Sequence, residues 1–237
     1  MAVSNSTVFS RTANELITDA LELLGVKAEE EPLQNVELVR GIKWLNYLLK
    51  AWQTDGVMAW TLTEGSFALT QGDHDVVFGP AGTVTAVPLD IQDMRINRGG
   101  NDLQMTRLSR DAYFSLPNKT TQGYPTQYFY DRQRDTGTLY LWPAPDSAGG
   151  TVSFTYRRRI MDITNSTDDF DIPQEWSLAM VTGLAALLIP IYGKSGTPRG
   201  QEIKEMAAQA YESVKAFDID EGESSMFVYP ASYDGAR

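Results

Sequence analysis

The stretch TVSFTYRRRIMDITNSTDDFDIPQEWSLAMVTGLAALL, residues 151–188, changes its hydrophobic period partway along, and that change decides the fold. Over residues 151–159, Val152, Phe154, Tyr156 and Arg158 alternate with Ser153, Thr155 and Arg157, the period of a strand with one packed face. From Asp171 onward, Trp176, Met180, Leu184, Leu187 and Leu188 recur at helical spacing. Pro173, favoured at a first helical position, and Glu175 in the first turn mark the start of that helix. A chain that leaves a β segment here and enters a helical one belongs to the α+β class.

Toward the C-terminus, this helix stops near Pro190, and the loop Gly193–Thr197 leads to Pro198 and a further helix. There Ile203, Met206, Ala207, Ala210, Val214 and Phe217 are predicted to face one way. Toward the N-terminus, three hairpins are predicted from turn chemistry between β-type runs. They are Ser66–Thr70 with Asp75–Phe78, Asp93–Asn97 with Leu103–Leu108, and Thr126–Gln133 with Thr138–Trp142. Ser109 is placed to cap a short helix through Phe114.

Residues 10–56 read as a helical hairpin. Thr12 and Glu15 have capping-box spacing, Ile17, Ala20, Leu21 and Leu24 follow at helical spacing, and Gly25 supplies a stop. A second helix is predicted over about Gln34–Thr54, with Val39, Ile42, Leu45, Leu49 and Trp52 as its apolar stripe. The economical architecture is a four-helix body formed by both chain ends, carrying an inserted antiparallel β-sandwich or barrel-like domain and an extended C-terminal tail. The expected divisions are 1–59, 60–165, 166–217 and 218–237.

Composition narrows the chemistry. The chain has no cysteine, so disulfides, thiolate metal sites and cysteine nucleophiles are excluded. The start MAVSNSTVFSRTANE lacks the pattern of a signal peptide, and the longest apolar run, Leu184–Ile191, is far short of a membrane span. A soluble, unexported protein with no membrane partner is expected. The net charge is −11, with five basic and twelve acidic residues in 164–237. Binding that grips phosphate backbones needs a basic face, so sequence-specific or wrapping nucleic-acid binding is not expected.

No catalytic, metal or cofactor site is predicted. His74 is the single histidine and lies in a Gly/Asp turn, without the partners that a general base or metal ligand needs. Asp168, Asp169 and Asp171 lack calcium-loop spacing and read as capping and turn residues before Pro173. Glu29, Glu30 and Glu31 read as a solvated loop, and GKSGTPRG (193–200) lacks the order of a phosphate-binding loop. Arg157, Arg158 and Arg159 split across two strand faces, which favours salt bridges to neighbouring subunits over a nucleic-acid site. Arg95, Arg98, Arg107 and Arg110 are candidates for a basic rim on the insert. In the tail, Phe227, Tyr229, Pro230 and Tyr233 are candidate partner-binding anchors, since terminal aromatics serve well at interfaces.

Two sets of segments resemble the head-to-tail adaptor proteins of short-tailed bacteriophages, also called head-completion or packaged-DNA-stabilising proteins. The first is LITDALELLGV followed by a Gln-led helix ending LNYLLKAWQTDGV, through Leu16, Ala20, Leu24, Gly25, Val26, Leu45, Trp52, Asp55, Gly56 and Val57. The second is YPTQYFYDRQRDTGTLYLWPAP, FTYRRRIMDI and DIPQEWSLAMVTGLAALLIPIYG, which is similar to the insert-bearing members. It rests on Pro125, Tyr128, Leu141, Pro143, Pro145, Tyr156, Arg157, Pro173, Trp176, Tyr192 and Gly193.

The resemblance implies a non-enzymatic virion subunit, made in the host cytoplasm and placed at the head-tail junction. It implies a ring, typically dodecameric, that joins the portal protein to a tail nozzle or tube protein. Packaged DNA would pass through its lumen without sequence-specific contacts, and the C-terminal segment would reach the portal. The alternatives are a virion-associated cell-wall hydrolase and a tail- or fibre-associated binding module.

Overall fold

Thr12 opens the first helix in the computed structural model, which describes residues 9–28, 31–55 and 59–218. Its hydroxyl accepts from Glu15 N at 3.4 Å, and the Glu15 carboxylate accepts from Thr12 N at 2.9 Å. This closed capping box satisfies two donors that a helix start leaves orphaned. Among the described residues there are five α-helices: α1 (Ala13–Leu23), α2 (Asn35–Asp55), α3 (Arg110–Phe114), α4 (Ser177–Leu188) and α5 (Pro198–Phe217). Ser109 Oγ caps α3 by accepting from Ala112 N at 3.2 Å, and Thr197 caps α5 with Pro198 in its first turn. Pro173 does not sit inside a helix; it leads into a 3-10 turn, Gln174–Trp176, that feeds α4.

The helical residues bury one shared core. Leu16, Ile17 and Leu21 of α1 meet Leu45 and Leu49 of α2, Met180 and Leu184 of α4, and Ile203 and Val214 of α5. Glycine sets two of the close approaches. A Cβ on Gly41 would lie 2.6 Å from Ile17 Cγ2, and one on Gly183 would lie 3.1 Å from Leu48 Cδ2 and 3.2 Å from Trp52 Cζ2. An aromatic cluster closes the end of the bundle, with Trp52 stacked on Tyr211 at 5.2 Å and Trp176 against both Trp52 and Trp60. The predicted stripe of α2 is corrected at Val39, which is exposed; Leu48 takes the buried position instead.

The middle of the chain forms ten strands: β1 (Leu62–Ala68), β2 (Asp75–Phe78), β3 (Asp90–Arg98), β4 (Asn101–Gln104), β5 (Thr106–Arg107), β6 (Gln122–Gly123), β7 (Gln127–Arg132), β8 (Gly137–Trp142), β9 (Ala144–Pro145) and β10 (Thr151–Arg157). One sheet has the order β1-β10-β3-β4 and another β2-β8-β7-β5, while β6 pairs with β9. Pairing is antiparallel except for β5 with β7 and β6 with β9. The β7-β8 hairpin forms as expected; β3 pairs with β4 only through Gln104, and the expected return strand Leu103–Leu108 breaks there, Thr106–Arg107 crossing to the other sheet beside β7.

The first predicted hairpin does not form. Phe67 and Phe78 face each other across a shared core at 6.2 Å, so Gln71–His74 crosses from one sheet to the other. β1 pairs with β10, and β2 with β8. The alternation read in β10 holds, with Val152, Phe154 and Tyr156 buried toward Met94 and Ile96 of β3 and Leu139 and Leu141 of β8. On the outer side of β7-β8, Tyr113 of α3 packs over Phe129 and Tyr140.

Between β10 and α4 the chain runs as an extended strap along α2, held mainly by side chains and, near α1, by a backbone bond. Asn46 Nδ2 donates to Ile163 O at 2.8 Å and Asn46 Oδ1 accepts from Ile163 N at 3.0 Å. Lys50 Nζ donates to Ile160 O at 2.7 Å, and Asn14 N to Ser166 O at 3.0 Å. Ile160 and Ile163 are buried in the helical core, so the strap is a structural part of that core.

Candidate interaction surfaces

The arginine cluster begins where the strap leaves the sheet. Arg158 and Asp171 form a two-bond ion pair, with Nη2 2.6 Å from Oδ1 and Nη1 bonded to Oδ2. Asp171 Oδ2 also accepts from Met161 N at 3.3 Å, and its carbonyl accepts from Trp60 Nε1 at 3.2 Å. Burial works against ionisation of Asp171, but the Arg158 hydrogen bond, the Met161 N–H and the guanidinium charge prevail and hold its carboxyl below the usual range. The expected capping role of Asp171 is thus corrected: it anchors the junction between sheet and helices. Arg157 faces the Gln92 side-chain amide at 2.8 and 3.0 Å, and Arg159 Nη2 donates to Arg134 O at 2.9 Å.

Asp168 fulfils the turn role. It accepts from the backbone N–H groups of Asn165 and Thr164 and from both side chains, which lowers its pKa to about 2. Three of the four basic-rim candidates are corrected by partners in their own chain, and the Arg98 side chain lies outside the described residues. Arg107 binds Asp90 through two nitrogens at 2.8 and 3.3 Å, Arg95 binds Asp93 at 2.7 Å, and Arg110 binds Asp131. His74 lies 3.7 Å from Asp75 in its turn. Among the described residues no cluster of three His, Cys, Asp or Glu side chains has metal-holding geometry, and no helix is long and apolar enough to cross a membrane. Glu29, Glu30, Phe227, Tyr229, Pro230 and Tyr233 lie outside the described residues.

Two apolar surfaces are left uncovered by the described residues. The first is a groove of about 500 Å³ between α4 and α5, lined by Leu178, Ala179, Met206, Ala210, Val214 and Phe217 and bordered by Glu175. Leu178 is 62% exposed and Phe217 77%. Met206 and Phe217 belong to the stripe predicted to be buried along α5. That stripe is wider than α4 covers, so Ile203 and Val214 take the core and its edge stays open. The second is a ridge along α2 made by Val36, Val39 and Tyr47, with Lys43 between them over the Tyr47 ring. Its spacing was readable as a second apolar row on α2, separate from the buried one.

Arg95, Arg107, Arg110 and Arg158 are each paired with a carboxylate of the same chain, whereas the groove and the ridge are lined mainly by apolar side chains. No curated protein matches the chain. The sequence pattern of the family described as SU10 adaptor protein matches residues 11–231, nearly the whole chain, spanning both helical ends and the β segment between them. The chain belongs to the SU10 adaptor protein family, structural head-to-tail adaptors of the short-tailed phage type.

Proposed function

We propose that the protein is a ring-forming subunit that joins portal to tail and retains packaged DNA, without enzymatic activity. The observation that carries this reading is the family match over residues 11–231, which spans the helical ends and the β segment alike. In this reading the four longer helices make the ring body and the two sheets a sandwich-like insert, with divisions at 1–59, 60–165, 166–217 and 218–237. A closed ring needs heterologous contacts whose rotation closes, and a dodecamer is the stoichiometry proposed. The acidic balance of −11 supports a lumen past which DNA moves without adhering.

Within that ring, Phe227, Tyr229, Pro230 and Tyr233 are proposed as anchors on the portal, and Arg157 and Arg159 as contacts to adjacent subunits. Arg158 is held by Asp171 in its own chain, which leaves it the weakest of the three candidates. Deleting residues 218–237 is expected to abolish capture of the chain by immobilised portal protein while leaving its circular dichroism unchanged. Undiminished capture would defeat the docking role of the tail.

A further inference from the structure

The groove between α4 and α5 and the ridge on α2 match in three respects. The first is length. Val36 to Tyr47 and Met206 to Phe217 each span three helical turns, about 16 Å at 1.5 Å per residue. The second is shape: a single row of side chains stands out from α2, whereas α4 and α5 leave a furrow. The third is charge. Arg40 and Lys43 stand within the α2 row, whereas Glu175 borders the furrow and the exposed Glu202 and Glu205 precede Met206 and Gln209 by one helical turn.

We propose that successive copies of this chain dock ridge into groove, the α2 row of one copy seating between α4 and α5 of the next. This inference rests on the ring reading and specifies the faces that build it. The two faces share no residue, so every copy offers one of each, as a heterologous contact requires. The chain's own C-terminal segment is the competing occupant. It begins at Asp218, directly after Phe217, and in the groove its Asp220, Glu221 and Glu223 would add charge to an already acidic border. Like charge opposes that placement, whereas Arg40 and Lys43 satisfy the same border. Tyr47 supplies the rigid aromatic anchor common at the centre of interfaces, with Leu178 and Met206 as its apolar seat.

Because the chain has no cysteine, cross-linking can be directed cleanly. Phage particles carrying Tyr47→Cys with Met206→Cys in the same chain, treated with a short bismaleimide, are expected to give a ladder of covalent multimers. Particles with either single substitution are expected to give monomer. Electron microscopy of the same particles reports the ring separately. A ring without the ladder overturns ridge-into-groove docking and leaves the ring reading standing; absence of a ring overturns both. A link from position 206 to a cysteine placed at position 227 of the same chain assigns the groove to the C-terminal segment and overturns the inference. In the recombinant full-length chain at high concentration, Lys43→Glu is expected to weaken self-association at least about tenfold. Unchanged association in Lys43→Glu would count against the proposed charge pairing.

Discussion

Arg158 and Asp171 meet in a two-bond ion pair, with Nη2 2.6 Å from Oδ1, at the point where the last strand hands the chain back to the helices. Thirteen positions apart in sequence, they close the strap that carries Ile160 and Ile163 into the helical core. Both side chains are largely shielded, so neither partner is easily replaced by water.

Asp171→Asn is expected to cost about 2 kcal/mol, because it leaves the Arg158 guanidinium without its charged acceptor. Urea unfolding checks the value. The Asp171 carboxyl titrates below its unfolded value, so its contribution is complete above about pH 4 and is lost as pH falls further. The wild-type chain is therefore expected to lose stability more steeply in acid than the Asn variant, and parallel profiles would contradict the assignment.

Gly41→Ala places a Cβ 2.6 Å from Ile17 Cγ2, a buried atom close to its own backbone. Overpacking costs about 1–3 kcal/mol, partly offset by about 1 kcal/mol of helix propensity. A net loss near 1 kcal/mol is expected. Combining it with Ile17→Ala should give a smaller loss than the two single values added, since the cavity accepts the methyl group. Strict additivity in chemical denaturation would place the α1–α2 crossing elsewhere.

Tyr130 donates to Pro88 O at 3.0 Å, and burial raises its hydroxyl to about 12. An unfolded tyrosine ionises near 10, so the folded state keeps a proton that the unfolded state gives up. Stability is expected to fall as pH rises from about 10 to about 12, and Tyr130→Phe should lessen that fall. Ultraviolet titration of the wild type and of Tyr130→Phe should show equal numbers of phenols ionising near pH 10, with the additional wild-type phenol ionising near pH 12; a normal midpoint for it would contradict the buried bond.

Thr12→Ala removes the side-chain acceptor of the capping box and is expected to destabilise the chain by about 1 kcal/mol. Hydrogen exchange should quicken first at the start of α1. Protection that is unchanged there would show that the cap contributes nothing.

Local chemistry explains which parts of this architecture were legible beforehand. Thr12 with Glu15, Ser109 and the stop at Gly25 act within a few residues, so the caps were readable from the chain alone. The β7-β8 hairpin and the turn between β3 and β4 were readable for the same reason, as was the alternation of β10. The pairing of β1 with β10 joins Phe67 to Val152, far apart in sequence, and no local turn signals it. A plausible turn at Gln71–His74 suggested the wrong neighbour, because turn chemistry says that a chain reverses and not which sheet it enters. The strap was missed because its hydrogen bonds go to Asn46 and Lys50, which carry no β pattern. Periodicity alone points Val39 and Met206 inward, because a single helix with two apolar rows does not reveal which row its neighbours cover.

Cryo-electron microscopy of the head-tail junction in intact particles tests the central claim most directly. The account predicts a closed ring of this subunit directly beneath the portal, its helical ends joined in one core and its β segment projecting from it. Finding the chain absent from that junction, or present there as isolated copies without mutual contact, would contradict it.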